Sequence, residues 1–252
     1  MNISHPRIIT LQALSDNYIY LIVNGLEAIA VDPAEAGPVL AAVTEQHLRL
    51  AGILITHHHG DHLGGAAEVH AKTGAVIYGP DDSRIPMLTS PLRDCEQLEC
   101  ASLSISVLHL PGHTRTHVGY NLPALNWLFT GDTLFCAGCG RLFESTAAQM
   151  WHSLQRIMSL PDATNMFCGH EYTEENLRFA LSLEPDSREI AERLAQVHAQ
   201  RRIGKATVPS TLALEKRTNP FLRVNALAEK LGMAGASDAD VFAEIRRRKD
   251  RF

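Results

Sequence analysis

No stretch of this 252-residue chain approaches the roughly 20 consecutive apolar residues that span a bilayer, so a membrane-embedded helix is excluded. Residues 1–7 also lack the charged-then-apolar start of a secretory signal. Cysteine is scarce. Five residues, an odd number at irregular spacing, do not read as a disulfide framework, and a reducing, cytoplasmic compartment is expected. Positive charge is in deficit: 23 Lys and Arg against 28 Asp and Glu leave −5, and aromatic residues make up only 6%. An acidic chain without a basic and aromatic stripe is a poor partner for nucleic acid. Repeats and low-complexity linkers are missing too. What remains is a soluble chain long enough to bury a core, as one large domain or one domain with an appendage. It is expected to act as a monomer on a small molecule.

Histidine, by contrast, is plentiful at 13 residues, and its placement is informative. The apolar run from Ala51 to Thr56 reads as a buried strand and opens into His57, His58, His59, Gly60, Asp61 and His62. Three later runs end in the same way. Residues 104–110 close on Pro111, Gly112 and His113, residues 126–130 on Gly131 and Asp132, and residues 165–168 on Gly169 and His170. Open α/β sheets gather ligands at strand ends, so four separated segments can build one site. Imidazole and carboxylate without cysteine suit a hard or borderline divalent cation, not a closed structural zinc site.

The ligand count implies two ions. One short loop cannot aim His57, His59, Asp61 and His62 at a single centre, so the donors divide. His57 and His59 with His113 make one site, Asp61 and His62 with His170 the other, and Asp132 is placed to bridge. Two such ions stand roughly 3.5–4 Å apart and lower the pKa of a shared water toward about 7, which makes a hydroxide nucleophile. Zinc is the expected ion, with iron or manganese as alternatives. A dense polar core without metal would leave these groups desolvated and mispaired.

With His57-x-His59-x-Asp61-His62, His113, Asp132 and His170, the chain resembles the metallo-β-lactamase superfamily. Further segments narrow the resemblance: Asp16-Asn17-Tyr18, Pro111 to Thr114, Gly131 to Phe135, Gly138 to Glu144, Gly169 to Thr173 and Arg246 to Asp250 look like the glyoxalase II family, the hydroxyacylglutathione hydrolases. The resemblance implies an α+β fold, a four-layer αββα sandwich over residues 1–170 with a small helical substrate-binding domain over 171–252. It also implies hydrolysis of S-D-lactoylglutathione and similar 2-hydroxyacylglutathiones to glutathione and a hydroxy acid, the second step of methylglyoxal detoxification. Asp61 and Asp132 would orient the hydroxide. Glutathione would be held by Arg141, Tyr172, Asn176, Arg246 and Lys249, and Phe143 lacks the hydroxyl of the tyrosine that some relatives carry there. The alternatives are a persulfide dioxygenase with one iron, a lactonase or β-lactamase, and a non-catalytic metal-binding module.

The basic end also has a reading from spacing alone. Residues 1–170 hold 8 Lys and Arg against 15 Asp and Glu, whereas residues 171–252 hold 15 against 13. Arg246 and Lys249 are three apart on one helical face and can reach a single anion, although basic helix ends are commonly just favoured by the macrodipole. His58 should point away from the metals, His117 reads as a hydrogen-bonded core residue, and Cys136-x-x-Cys139 reads as two reduced thiols in a glycine-rich loop.

Strands are expected over 7–13, 18–23 and 27–31, with a hairpin at Asn24-Gly25. Helices are expected over 39–47, over 63–72 stopped by Gly74, and after a cap at Ser145 or Thr146. Further helices are expected over 176–183, from a capping box at 186–189 to about 201, over 224–231, and after a cap at Ser237, with a long connection around Pro209 and Asn219-Pro220.

Overall fold

Alternating apolar residues and turn chemistry set the opening meander. In this computed structural model, which describes residues 5–252, β1 (Arg7–Ala13), β2 (Asn17–Asn24) and β3 (Glu27–Val31) pair antiparallel. The first four residues, part of the start read against a secretory signal, lie outside the described residues. After β3 the pairing turns parallel, which requires crossovers. Helix α1 (Ala36–Glu45) leads to β4 (Arg49–Leu54), and α2 (Gly60–Leu63) with α3 (Ala66–Thr73) leads to β5 (Val76–Pro80). With β6 (Ser90–Leu92) the sheet order is β1-β2-β3-β4-β5-β6. The single helix expected over 63–72 is broken at Gly64-Gly65, where the Gly65 amide donates to Pro33 O at 2.8 Å; Gly74 does end α3.

A second, antiparallel run follows: β7 (Gln97–Cys100), β8 (Leu103–His109), β9 (Val118–Leu122) and β10 (Trp127–Gly131). Strand β2 is buried almost throughout because both its faces are covered. Ile19, Leu21 and Val23 share a core with Val39 of α1 and Val69 of α3. On the other face, Tyr20 meets Phe129 of β10 edge to face at 5.4 Å. Tyr120 of β9 reinforces that layer, its hydroxyl donating to Ile55 O at 2.6 Å. Helices, sheet and second sheet therefore stack in that order, which gives three layers of the expected sandwich.

The chain divides into two compact units, and everything above belongs to the first, Met1–His109 with Thr116–Gly131. The second comprises Leu110–Arg115 and Asp132–Phe252. It opens with the short hairpin of β11 (Leu134–Phe135) and β12 (Gly138–Cys139). Helix α4 (Ala147–Met158) starts at a capping box between Thr146 and Gln149. Then come β13 (Asn165–Cys168), α5 (Thr173–Leu183), α6 (Arg188–Arg202), and β14 (Ser210–Thr211), which pairs with β13. Ser187 alone caps α6, accepting from the Ile190 amide, so the box expected at 186–189 reduces to one residue. The chain ends with α7 (Leu212–Thr218), α8 (Val224–Ala228) and α9 (Asp238–Lys249). Ser237 caps α9, whose Phe242 packs against Trp151 and Phe221 with ring centroids 6.3 and 5.7 Å away.

Helix α7 lies inside the connection expected to be irregular, and it carries the polar centre of this unit. Glu215 is wholly buried, taking Arg193 Nη2 and Ser210 Oγ on Oε1, each at 2.5 Å, and the Ala137 amide on Oε2 at 2.7 Å. Asn219 adds bonds to Phe135 O and Gly138 O, so the β11–β12 hairpin hangs from α7. Removing one partner of a buried pair strands the other charge. Glu215→Ala should therefore lower stability by roughly 3–5 kcal/mol, read as the shift of the denaturant midpoint. A shift equivalent to less than about 1 kcal/mol, the range of surface pairs, would show that the network is not structural.

Candidate active site

Strand β4 delivers its histidines to the edge of the first unit, where a buried carboxylate sets their orientation. Asp32, just past β3, accepts from the Thr56 amide and the Thr56 hydroxyl, both at 2.7 Å, and from His62 Nδ1 at 2.9 Å. Because the Thr56 hydroxyl donates to Asp32, its oxygen is the acceptor for His57 Nδ1 at 3.0 Å. The network assigns the Nδ1 proton on both rings, leaving each Nε2 with a lone pair, the form a metal ligand needs. The rings cluster: His57 lies 4.6 Å from His59 and 4.2 Å from His62 between centroids. Asp61 sits in the single turn of α2, where Asn17 Nδ2 donates to its main-chain oxygen at 2.9 Å and to Oδ2 at 3.1 Å.

Among the described residues, His58 and His117 belong to none of the donor groups that could hold a metal ion. His117 is buried and stacks on His57 at 4.8 Å. The His58 ring instead has Asp82 Oδ2 3.9 Å from its Nδ1. Hydrogen bonds from Arg84, joined by one from Thr116, hold the Asp82 carboxyl well below its usual range despite burial. Gly131 turns at φ +47°, and a side chain there would meet Thr56 Oγ1 at 2.5 Å.

In the second unit, Asp132 lies buried between two histidines. Its Oδ2 stands 3.4 Å from His113 Nε2 and 3.4 Å from His170 Nε2. These contacts are long for charged hydrogen bonds, whereas two donors at about 2.0–2.1 Å from one ion at tetrahedral angles stand about 3.4 Å apart. His113 Nδ1 donates to Arg141 O at 2.9 Å, which again turns Nε2 toward the carboxylate. Gly140 permits the approach, since a Cβ there would lie 2.0 Å from Asp132 O. Tyr172 stacks on His170, with ring centroids 4.8 Å apart and planes 4° apart.

The candidate substrate residues also lie in this unit. Arg141 is exposed, 3.9 Å from Asp250 Oδ1, and the exposed Phe143 ring stands edge-on to His113. Asn176 is buried and donates to Cys136 O at 3.1 Å. Arg246 is buried as well, with Nη1 on Cys139 O at 2.9 Å and Asp250 on its other nitrogens. Lys249 Nζ lies 2.5 Å from Glu175 Oε1.

Both C-x-x-C thiols are buried and held away from the thiolate form. Contact with Cys168 and burial push Cys136 well up, and burial pushes Cys139 up to about 11, partly offset by Arg246. Among the described residues, the His and Asp donors that could hold a metal ion are His57, His59, Asp61 and His62 in the first unit and His113, Asp132 and His170 in the second. Imidazoles oriented through Nδ1, together with carboxylates, fit divalent metal ions. Sequence reasoning missed Asp32, whose only local signal is a carboxylate at the end of a strand, and left Asn17 without a role.

Comparison with known proteins agrees with this geometry. The metallo-beta-lactamase superfamily model matches residues 14–170, and the model of the hydroxyacylglutathione hydrolase C-terminus matches 171–252. A hydroxyacylglutathione hydrolase of Methylococcus capsulatus is 49% identical, covering 97% of this chain and 98% of that one. Among solved structures, ETHE1 from Myxococcus xanthus aligns with TM-score 0.69 at 26% identity, covering 96% of this chain and 90% of its own. TTHA1623 in a di-iron-bound form aligns with TM-score 0.62 at 28% identity, covering 86% and 100%. The fold is that of the metallo-β-lactamases, and the chain belongs to the hydroxyacylglutathione hydrolase family.

Proposed function

We propose that the protein hydrolyses the thioester of an acylglutathione, S-D-lactoylglutathione foremost, with two divalent metal ions, zinc by preference. His57, His59 and His113 would hold one ion and Asp61, His62 and His170 the other, with Asp132 shared. The observation that carries this is Asp132 Oδ2, 3.4 Å from both His113 Nε2 and His170 Nε2, where one carboxylate could serve two ions. Support also comes from the hydroxyacylglutathione hydrolases to which the chain is similar and from TTHA1623, whose structure holds two irons.

Bound divalent ions would polarise the thioester carbonyl and lower the pKa of a water. The chain's own residues supply the rest. Asp61, fixed by Asn17, and Asp132 orient the attacking water, and Asp32 sets the tautomer and aim of the His57 and His62 rings. The departing thiolate, near pKa 8.5, leaves without a strong general acid, so no further histidine is needed. Lys249 holds the glycine carboxylate of glutathione, Arg246 fixes α9 against the hairpin beside it, Tyr172 and Arg141 line its path, and Asn176 fixes the hairpin beneath it. A single-ion oxygenase would have no use for the Asp61, His62 and His170 set. Five free thiols accord with a reducing cytoplasm, and no helix among the described residues is long and apolar enough to cross a membrane. We propose a cytoplasmic monomer.

Asp132→Ala should lose both metal occupancy, measured by elemental analysis, and thioester cleavage. A variant retaining two ions per chain and near-normal turnover would remove Asp132 from the shared position. Lys249→Ala should raise KM for acylglutathione by about tenfold or more, the worth of a charge-assisted hydrogen bond, with kcat and metal content little changed. The penalty should shrink for the same acyl group on a thiol without a carboxylate, and equal penalties on both would assign Lys249 to helix stability alone.

A further inference from the structure

Arg246 and Lys249 each hold a carboxylate of their own chain, but the two pairs are built differently. Arg246 is committed to structure: Nε and Nη2 take Asp250 Oδ1 at 3.1 and 2.8 Å, Nη1 takes Cys139 O at 2.9 Å, and the guanidinium lies 5.1 Å over Phe221. Three of its directions are filled by groups that fix α9 against the hairpin. Lys249 keeps its ammonium over the faces of Phe179 and Phe252, 5.6 and 5.3 Å from the centroids, with Glu175 Oε1 at 2.5 Å. The lysine side chain is 10% exposed, whereas that of Glu175 is 67% exposed.

This asymmetry decides which partner can leave. The ammonium is held by two aromatic faces and has three donors. Glu175 stands in the first turn of α5 and lines an open cavity of about 290 Å³, into which its carboxylate can turn. The other acids of that cavity are already engaged. Glu174 is held below its usual range by His198 and Arg178, and Glu171 takes the Thr207 amide and Arg201. The carboxylate end of the pair stands open to solvent, so it can exchange for another carboxylate without uncovering the ammonium.

We infer that Glu175 is a resident stand-in for the substrate's carboxylate. It occupies Lys249 in the free protein, is displaced by the glycine carboxylate of an acylglutathione, and returns as glutathione leaves. Glu175 thereby sets the affinity for the carboxylate end of the ligand and keeps the product from lingering. The inference rests on the substrate class proposed above.

The test uses the metal-loaded full chain with Glu175→Gln. Steady-state kinetics are measured on an acylglutathione and on the same acyl group carried by N-acetylcysteamine, together with product inhibition by glutathione. The variant should lower KM for acylglutathione and the glutathione inhibition constant by about two- to fivefold. The ratio of kcat/KM between the two thioesters should rise by the same factor. Unchanged constants, or a raised KM, would make Glu175 a prop for Lys249 and overturn the inference. If the wild-type protein does not prefer acylglutathione over the carboxylate-free thioester, the substrate assignment falls and this inference with it. A wild-type preference that Glu175→Gln leaves untouched overturns only the role of Glu175.

Discussion

The Asp32 carboxylate is the constraint on which the first donor set depends. It sits at the end of β3, and its amide donates to Leu54 O at 2.9 Å, so the parallel pairing of β3 with β4 determines where the carboxylate lies. From there it accepts three hydrogen bonds, two from Thr56 and one from His62. A buried carboxylate with fewer donors would be costly, and a histidine without such a partner would be free to turn or to change tautomer. Through Thr56 the constraint reaches His57, so one anion fixes two imidazoles of the loop. Sheet register, burial and ligand tautomer are thus a single arrangement.

The second donor set rests on a different support. Asp132 and His113 are brought close by the absence of a side chain at Gly140, and the hairpin that follows Asp132 is tied to α7 by Glu215 and Asn219. The same hairpin receives Arg246 from α9 and Asn176 from α5. The helices of this unit therefore set the position of the segment that carries Asp132.

The candidate metal-binding residues were legible because their chemistry restricts residue type: only a few side chains bind divalent ions, and each stood where an apolar run stopped. The capped helices α4 and α9 were legible for a related reason, since Thr146 and Ser237 satisfy amides that nothing else can reach. Asp32 was not legible, because an aspartate before proline reads as a turn residue until the pairing of β3 and β4 is known. Glu215 was hidden in Leu-Glu-Lys-Arg, a sequence that looks like a solvated helix, and its burial comes from Arg193 on another helix. Spacing put Arg246 and Lys249 on one face of α9 but could not distinguish a buried structural arginine from a lysine with an exchangeable partner, because Glu175 lies on α5. Cys136 and Cys139 looked like a pair in sequence, yet the thiol that meets Cys136 is Cys168.

The most direct test of this account is the metal affinity of Asp32→Asn, measured by competition with a chelator on the folded protein. An amide can still accept from Thr56, but it carries no charge to hold His62 in its donating form. Loss of such a supporting contact to a metal ligand typically costs tenfold to a hundredfold in affinity, and about that loss is predicted, with secondary structure unchanged. Two ions per chain bound as tightly as in the unaltered protein, with undiminished turnover, would contradict the claim that Asp32 organises the centre.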